Sequence, residues 1–286
     1  MANASDVRIL FVSDIHLGTP DAQASLLRYL LRQTRPERVY LVGDVFDLIA
    51  MKHRAVLDSA QQALVRHILR MARTGCEVIY IPGNHDAAFR TFCGQKFHNV
   101  RIERDVIHET RDGRRLLISH GDEFDGHFDG PRWKLIIGEM LLKSMRRINR
   151  WTVRLRRRLG RPYWSLSGAA KRRSGNVRDF AAAFRASALS RAKHEQVDGY
   201  VGGHIHIPGF ELREGLLYCN DGDWVEHCTA LAEGSDGRLR LIDWHGNTLV
   251  DDPCPPTGVR EHTEAESWLG EQRLEEEAVT DESRER

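Results

Sequence analysis

The chain has 286 residues, is 41% hydrophobic and carries a net charge of only +1. Such a composition can bury a sizeable core and excludes global disorder, and no stretch approaches the roughly 18 uninterrupted apolar residues of a membrane span. Five cysteines without a C-x-x-C pair argue against a disulfide framework, and the N-terminus lacks a basic region leading into an apolar stretch, so a cytoplasmic protein is expected.

Taken in order, apolar β-rich runs alternate with helical patterns. V-R-I-L-F-V (7–12) reads as a buried strand followed by a helix near Ala22 to Gln33, and V-Y-L-V (39–42) as a second strand followed by a helix near Ala55 to Thr74. V-I-Y-I (78–81), R-L-L-I-S (115–119) and Y-V-G (200–202) read as further strands. L-L-Y-C (216–219), C-T-A-L-A (228–232) and R-L-R-L-I-D-W (238–244) follow closely, as in antiparallel hairpins. The pattern predicts an α/β fold that begins as β-α-β and ends in an antiparallel sheet.

Between these runs, residues 125–194 read as a helical insertion. In W-K-L-I-I-G-E-M-L-L-K-S-M-R-R-I the apolar residues recur at 133, 136, 137, 140, 141, 145 and 148, an amphipathic stripe with Lys134, Lys143, Arg146 and Arg147 mostly off it. Residues 131–180 hold 15 Lys/Arg against two acids, Glu139 and Asp179, a local charge of +13, which suggests an anionic partner. The expected organisation is therefore a core of 1–124 and 195–250, a basic cap over 125–194, and an acidic, disordered tail over 251–286.

Each main strand ends in a polar cluster: S-D-I-H (Asp14, His16), G-D-V-F-D (Asp44), G-N-H-D (Asn84, His85, Asp86), S-H-G-D (His120, Asp122) and G-G-H-I-H (His204, His206). Sites in open α/β sheets lie beyond the carboxyl ends of strands, so the clusters should converge on one rim. D-x-H or G-D alone reads as a turn, H-x-H alone reads equally as a turn or a ligand pair, and five clusters in sequence do not read as turns. Carboxylate, imidazole and amide ligands without thiolates suit Mn²⁺, Fe²⁺ or Zn²⁺. Seven ligands exceed one ordinary site and suit two ions sharing a carboxylate.

Together the motifs resemble the calcineurin-like metallophosphoesterase superfamily. That resemblance implies a two-sheet metallophosphoesterase sandwich with helices on the outer faces, the insertion being a helical cap. It implies that Asp14, His16 and His206 hold one metal and Asn84, His120 and His204 the other, with Asp44 bridging. His85 would act on the phosphoryl group as acid or charge stabiliser, oriented by Asp86.

A narrower resemblance runs from about residue 7 to 244. Y-L-V-G-D-V-F-D, I-Y-I-P-G-N-H-D, S-H-G-D-E-F-D, R-R-R-L-G-R-P-Y-W-S-L-S, G-G-H-I-H and Y-C-N-D-G-D-W-V-E-H-C-T-A-L are similar to the UDP-2,3-diacylglucosamine diphosphatase group. It implies Mn²⁺-dependent cleavage of a UDP-sugar lipid to UMP and 2,3-diacylglucosamine 1-phosphate, in lipid A biosynthesis. His85 stands where the best-known branch has Arg, which implies a sister branch.

On that reading the insertion covers acyl chains while its basic side meets pyrophosphate or the inner-membrane surface, as a peripheral contact. The alternative is that its apolar stripe simply packs on the core. Arg157, Arg158, Lys171, Arg172 and Asp122 are candidate substrate contacts. Asp221, Asp223 and Trp224 either line the site or form a turn and a core anchor. The competing function is a phosphodiesterase or nuclease acting on another nucleotide or on nucleic acid. The helical periodicity of the basic segment disfavours a strand-like nucleic-acid groove.

Overall fold

Alternation along the first strand determines the layering. In the computed structural model, which describes residues 6–52, 56–127 and 175–254, strand β1 (Val7–Val12) points Ile9 and Phe11 to one side and Leu10 and Val12 to the other. Both sides are buried. A parallel strand covered on both faces needs a continuous apolar run, and V-R-I-L-F-V supplies one.

The crossover unit follows as β1, α1 (Ala24–Thr34), β2 (Arg38–Val42), the one-turn α2 (Leu48–Met51), α3 (Ser59–Arg73) and β3 (Glu77–Ile81). Helix α3 starts where Asp58, in extended conformation, accepts a hydrogen bond from Gln61 N at 2.8 Å. Next come β4 (Lys96–Phe97), β5 (Val100–Ile102), β6 (Val106–Glu109) and β7 (Arg115–Ile118). After the undescribed stretch, α4 (Gly175–His194) leads into β8 (Gly199–Gly202), β9 (Gly209–Arg213), β10 (Leu216–Asn220), β11 (Thr229–Gly234), β12 (Leu239–Asp243) and β13 (Thr248–Asp251).

These strands form two sheets. The larger has the order β13-β12-β11-β1-β2-β3-β5-β4 and the smaller β6-β7-β8-β10-β9. Between them lies one core, with Ile9, Phe11, Tyr40, Val42 and Ile79 meeting Leu116, Ile118, Val201 and Leu217. On the outer face of the large sheet, Leu27, Leu30 and Leu31 of α1 and Leu64, Ile68 and Ala72 of α3 cover Leu10, Val39, Leu41 and Val78. The outer face of the small sheet is covered by Phe184, Ala188, Leu189 and Ala192 of α4, against Leu117, Tyr200 and Tyr218. The protein is thus an α/β two-sheet sandwich with helices on its outer faces.

Three differences from the sequence reading have physical causes. The late strands do not form one antiparallel sheet: β10 pairs in parallel with β8, while β11 pairs antiparallel with β1. Short strands β4, β5, β6, β9 and β13 were not expected; at β13 only one residue is even half-buried, so alternation is absent. Residues 175–194, expected as the end of the cap, form the helix that buries the outer face of the small sheet, because its Phe184, Ala188, Leu189 and Ala192 fit against Leu117, Tyr200 and Tyr218 of three strands. The amphipathic helix expected over 133–148 and residues 255–286 of the tail expected over 251–286 lie outside the described residues. Among the described residues, no helix is long and apolar enough to cross a membrane.

Phe184 holds α4 in place, with ring centroids 5.4 Å from Phe124 and 6.4 Å from Tyr218. Phe184→Ala should lower unfolding free energy by about 3–5 kcal/mol in denaturant titration; a loss well below 1 kcal/mol would mean the helix is not anchored there.

Candidate metal centre

The rim is built from loops that leave the parallel strands at their carboxyl ends. The loop after β1 is zipped to the loop after β2: Asp14 N donates to Gly43 O (3.0 Å), His16 N to Asp44 O (2.9 Å) and Leu17 N to Val45 O (2.9 Å). Within this ladder Asp14, His16 and Asp44 each have φ of 50°, and His204 (66°) and His206 (54°) share the left-handed region. That conformation costs an L-residue roughly 1–2 kcal/mol. Five of the seven expected ligands adopt it, a concentration of backbone strain of the kind found at functional sites.

These turns bring together Asp14, His16, Asp44, Asn84, His85, His120 and His206. In one half, Asp14 Oδ1 lies 2.9 Å from His206 Nε2 and 3.7 Å from His16 Nε2. In the other, His120 Nε2 lies 3.5 Å from Asp44 Oδ2 and 3.2 Å from Asn84 Oδ1. Asp44 Oδ2 joins the halves, being also 3.9 Å from His16 Nε2. Groups of potential ligand atoms within 4.8 Å of one another are Asp14, His16 and His206; Asp14, Asp44 and His120; and His16, Asp47 and His85. Asp14 Oδ1 is fully buried yet has no hydrogen-bond partner among the described residues. A buried carboxylate oxygen facing imidazole nitrogens without an aligned donor fits a ligand set for a divalent cation.

Residues 7–208 match the model of the calcineurin-like phosphoesterase family. The chain belongs to this family. Over 268 residues it is 24% identical to a UDP-2,3-diacylglucosamine hydrolase of Porphyromonas gingivalis, covering 85% of this chain and 96% of that protein. A UDP-2,3-diacylglucosamine hydrolase of Blochmanniella pennsylvanica is 29% identical over 117 residues, 40% of this chain and 46% of the relative. Among solved structures, a phosphoesterase from E. coli is similar with a TM-score of 0.44 and 17% identity, over 85% of this chain and 97% of that one.

In this phosphoesterase the remaining expected residues have varied surroundings. His204 sits beside the site, its ring 5.1 Å from that of His120, but its Nε2 is 2.7 Å from Asp125 Oδ1. Asp86 was expected to orient His85 and instead anchors the loops. Its Oδ2 accepts from Val45 N (2.8 Å), Phe46 N (3.2 Å) and the Tyr80 hydroxyl (2.5 Å), and its Oδ1 from Gly83 N (2.6 Å). The carboxylate beside the His85 ring is Asp47, with Oδ1 3.0 Å from His85 Nδ1 and Oδ2 3.3 Å from His16 Nδ1. The signal for Asp47 was present as the last residue of G-D-V-F-D. Asp122, a candidate substrate contact, is occupied by Arg90, which donates to both its oxygens at 2.6 and 2.8 Å. Arg157, Arg158, Lys171 and Arg172 lie outside the described residues.

The G-D-W stretch after β10 supports the rim from behind. Trp224 is fully buried, and Asp223 accepts from Val225 N (2.8 Å) and from the His227 ring, with His206 Nδ1 at 3.7 Å. The Ser13 hydroxyl lies 2.7 Å from Asp14 Oδ2 and 2.5 Å from Asp221 Oδ1. It has one proton for two carboxyls. Burial pushes Asp221 well above the ordinary carboxylate range, so a neutral Asp221 resolves the conflict by donating to Ser13, which donates to Asp14. Asp221→Asn, which mimics the neutral acid, should keep near-native stability in thermal melts, whereas Asp221→Ala should lose about 1–3 kcal/mol. Equal losses in both would contradict a neutral Asp221.

Electrostatically the site demands positive charge. Burial raises the Asp14 carboxyl, but His206 and His16 more than offset it and hold Asp14 well below its ordinary value. Burial likewise lowers His16 and His120, yet Asp14 and Asp47 around His16, and Asp44 beside His120, push each imidazole up to about 10. Folding without metal therefore raises both histidines from about 6.5. The stability they contribute is complete below about pH 6.5 and is lost as pH rises towards 10. Chelator-treated protein should show a melting midpoint that falls across that window. Added divalent metal should flatten the fall, because ligation takes the imidazoles neutral. A flat profile without metal would overturn this reading of the charge balance.

Proposed function

We propose that the protein is a dinuclear metal-dependent phosphohydrolase that cleaves the pyrophosphate of UDP-2,3-diacylglucosamine to UMP and 2,3-diacylglucosamine 1-phosphate, in lipid A biosynthesis. The observation that carries the dinuclear part is Asp44: one carboxylate oxygen faces both His16 and His120. Asp14, His16 and His206 would hold one ion and Asn84 and His120 the second, with Asp44 shared and His204 completing the second set on release from Asp125. Mn²⁺ is the favoured metal, with Fe²⁺ or Zn²⁺ compatible with the same donors. Bound there, the metals would polarise the phosphoryl oxygens and lower the pKa of a water nucleophile.

The chain's own residues supply the rest. His85 N donates to Asp44 Oδ1 at 2.8 Å, which ties the position of the shared carboxylate to the G-N-H-D turn. With Asp47 beside Nδ1, the His85 Nε2 edge faces the centre, 4.0 Å from Asp44 Oδ2. From there it can hold a proton at the leaving oxygen or stabilise charge on the phosphoryl group. The lipid substrate is supported by the relative from Porphyromonas gingivalis, whose length the match spans almost throughout, and by the amphipathic, strongly basic sequence of residues 131–180. Such a segment suits an amphiphilic anion, at the inner-membrane surface or in a bound complex, better than a bare nucleotide.

The test is UMP release from UDP-2,3-diacylglucosamine with added Mn²⁺. Wild type should release UMP rapidly, Asp44→Ala should fall to background, and His85→Ala should lose turnover by about 10²–10⁴-fold while still binding metal. Hydrolysis of a generic phosphodiester without UMP release would keep the phosphohydrolase and discard the lipid substrate.

A further inference from the structure

A cleft of about 870 Å³ opens at the end of the large sheet opposite the metal rim, between the start of β1 and the end of α1. Val7 lines this cleft and Asp14 the rim, so about 20 Å of strand separates them. Five arginines line it, Arg8, Arg28, Arg32, Arg35 and Arg111, against two acids, Asp6 and Glu37. Arg8 is paired with Glu233. For Arg28, Arg32, Arg35 and Arg111 no carboxylate partner is present among the described residues.

The sequence concentrates this charge. Helix α1 (A-S-L-L-R-Y-L-L-R-Q-T) and helix α3 (S-A-Q-Q-A-L-V-R-H-I-L-R-M-A-R) contain no acid at all. Arg28 and Arg32 stand at i and i+4 on one side of α1, and Arg35 caps the helix C-terminus in a left-handed conformation. Like charges at that spacing repel, at a cost of a few tenths of a kcal/mol per pair. Opposite them on α3, the His67 imidazole is pushed down by burial and by Arg32, Arg28 and Arg70, and its Nε2 has no hydrogen-bond partner among the described residues. Favourable interaction with helix C-termini accounts for Arg32 and Arg70, which lie in last turns. It does not account for Arg28, a turn earlier, or for Arg111, which enters from the β6–β7 hairpin. Tyr29 adds a ring that is 43% exposed, on the same wall.

Unpaired guanidinium groups converging from two elements on one concavity match the forked donors that recognise phosphate oxygens. We infer that this cleft is a second, non-catalytic site that binds a phosphate-bearing anion, separate from the metal centre. A soluble phosphorylated metabolite and a phospholipid headgroup present the same group to it.

Isothermal titration of the full-length, metal-loaded protein with inorganic pyrophosphate, against a protein-free blank at constant ionic strength, tests this. Binding should persist in Asp44→Ala, which disables the rim. It should weaken about tenfold or more in Arg28→Gln/Arg32→Gln, and measurably in Arg111→Gln, which perturbs a different element. Both arginine variants should keep wild-type melting and hydrolysis. Co-sedimentation with phosphatidylglycerol vesicles separates the sources: an arginine-dependent vesicle interaction without pyrophosphate binding identifies the headgroup, and the converse identifies a soluble anion. Binding lost in Asp44→Ala but intact in both arginine variants overturns the inference, as does the absence of arginine-dependent binding to either probe.

Discussion

The rim depends on a carboxylate that has no contact with water. Asp14 is fully buried, and an ionised carboxylate in that position costs several kcal/mol unless it is paired. One oxygen is satisfied locally, accepting from the Ser13 hydroxyl and from His204 N at 2.8 Å. The other faces only imidazole nitrogens. The residue's backbone meanwhile joins three loops, with its N–H on Gly43 O and its carbonyl accepting from Trp224 N. Asp14 therefore sets the relative position of the loops after β1, β2, β8 and β10, and the unsatisfied half of its charge is what a cation at the centre would neutralise. Two glycines make this possible. A Cβ on Gly203 would lie 2.5 Å from Asp14 Oδ2, and one on Gly83 would lie 2.3 Å from Asp44 Oδ1. The carboxylates are packed so closely against backbone that only glycine fits beside them.

Parallel topology explains why the ligands arrive from so many loops. Strands β1, β2 and β3 in one sheet and β7 and β8 in the other all end at the same rim. Each then needs a sharp reversal to aim a side chain back over the sheet ends. After β1, β2 and β8 the left-handed backbone at Asp14, His16, Asp44, His204 and His206 provides it. Packed cores beneath and the loop-to-loop ladder above hold residues in conformations they would leave in a free peptide.

The same logic separates what was legible in the sequence from what was not. Buried parallel strands announce themselves as apolar runs, and the residue types that follow them are local signals, so the Asp14, Asp44, Asn84 and His120 turns could be read directly. Partnerships across the rim could not. Asp47 and Asp86 are both acids placed just after a cluster. Only the fold reveals that Asp86 is consumed by Tyr80 and three backbone amides, while Asp47 reaches His16 and His85. Likewise Asp122 reads as a rim acid until Arg90, from the turn after β3, takes both of its oxygens. Sheet membership of β10 and β11 was hidden for a related reason. Closeness along the chain suggests pairing, yet the G-D-W turn between them carries the chain from one sheet to the other. The short exposed strands carried too little alternation to be seen.

Helix direction links the two ends of the large sheet. Right-handed crossovers between parallel strands require α1 and α3 to run back from the rim, so their positive N-terminal ends lie near the metal centre and their negative C-terminal ends at the far pole. At the rim, the first turn of α3 is used mechanically. Buried Gln61 accepts from Gly18 N at 3.1 Å and donates to Thr19 O at 2.7 Å, bracing the loop that carries His16. At the far pole the helix ends demand cations, and arginines meet that demand in the last turns. The demand is limited to roughly half a charge per helix end, and the arginines gathered there exceed it. The surplus resides in Arg28 and Arg111, which neither helix terminus requires. A chain whose net charge is only +1 thus opposes a carboxylate-rich centre with a guanidinium-rich cleft at the other end of one sheet.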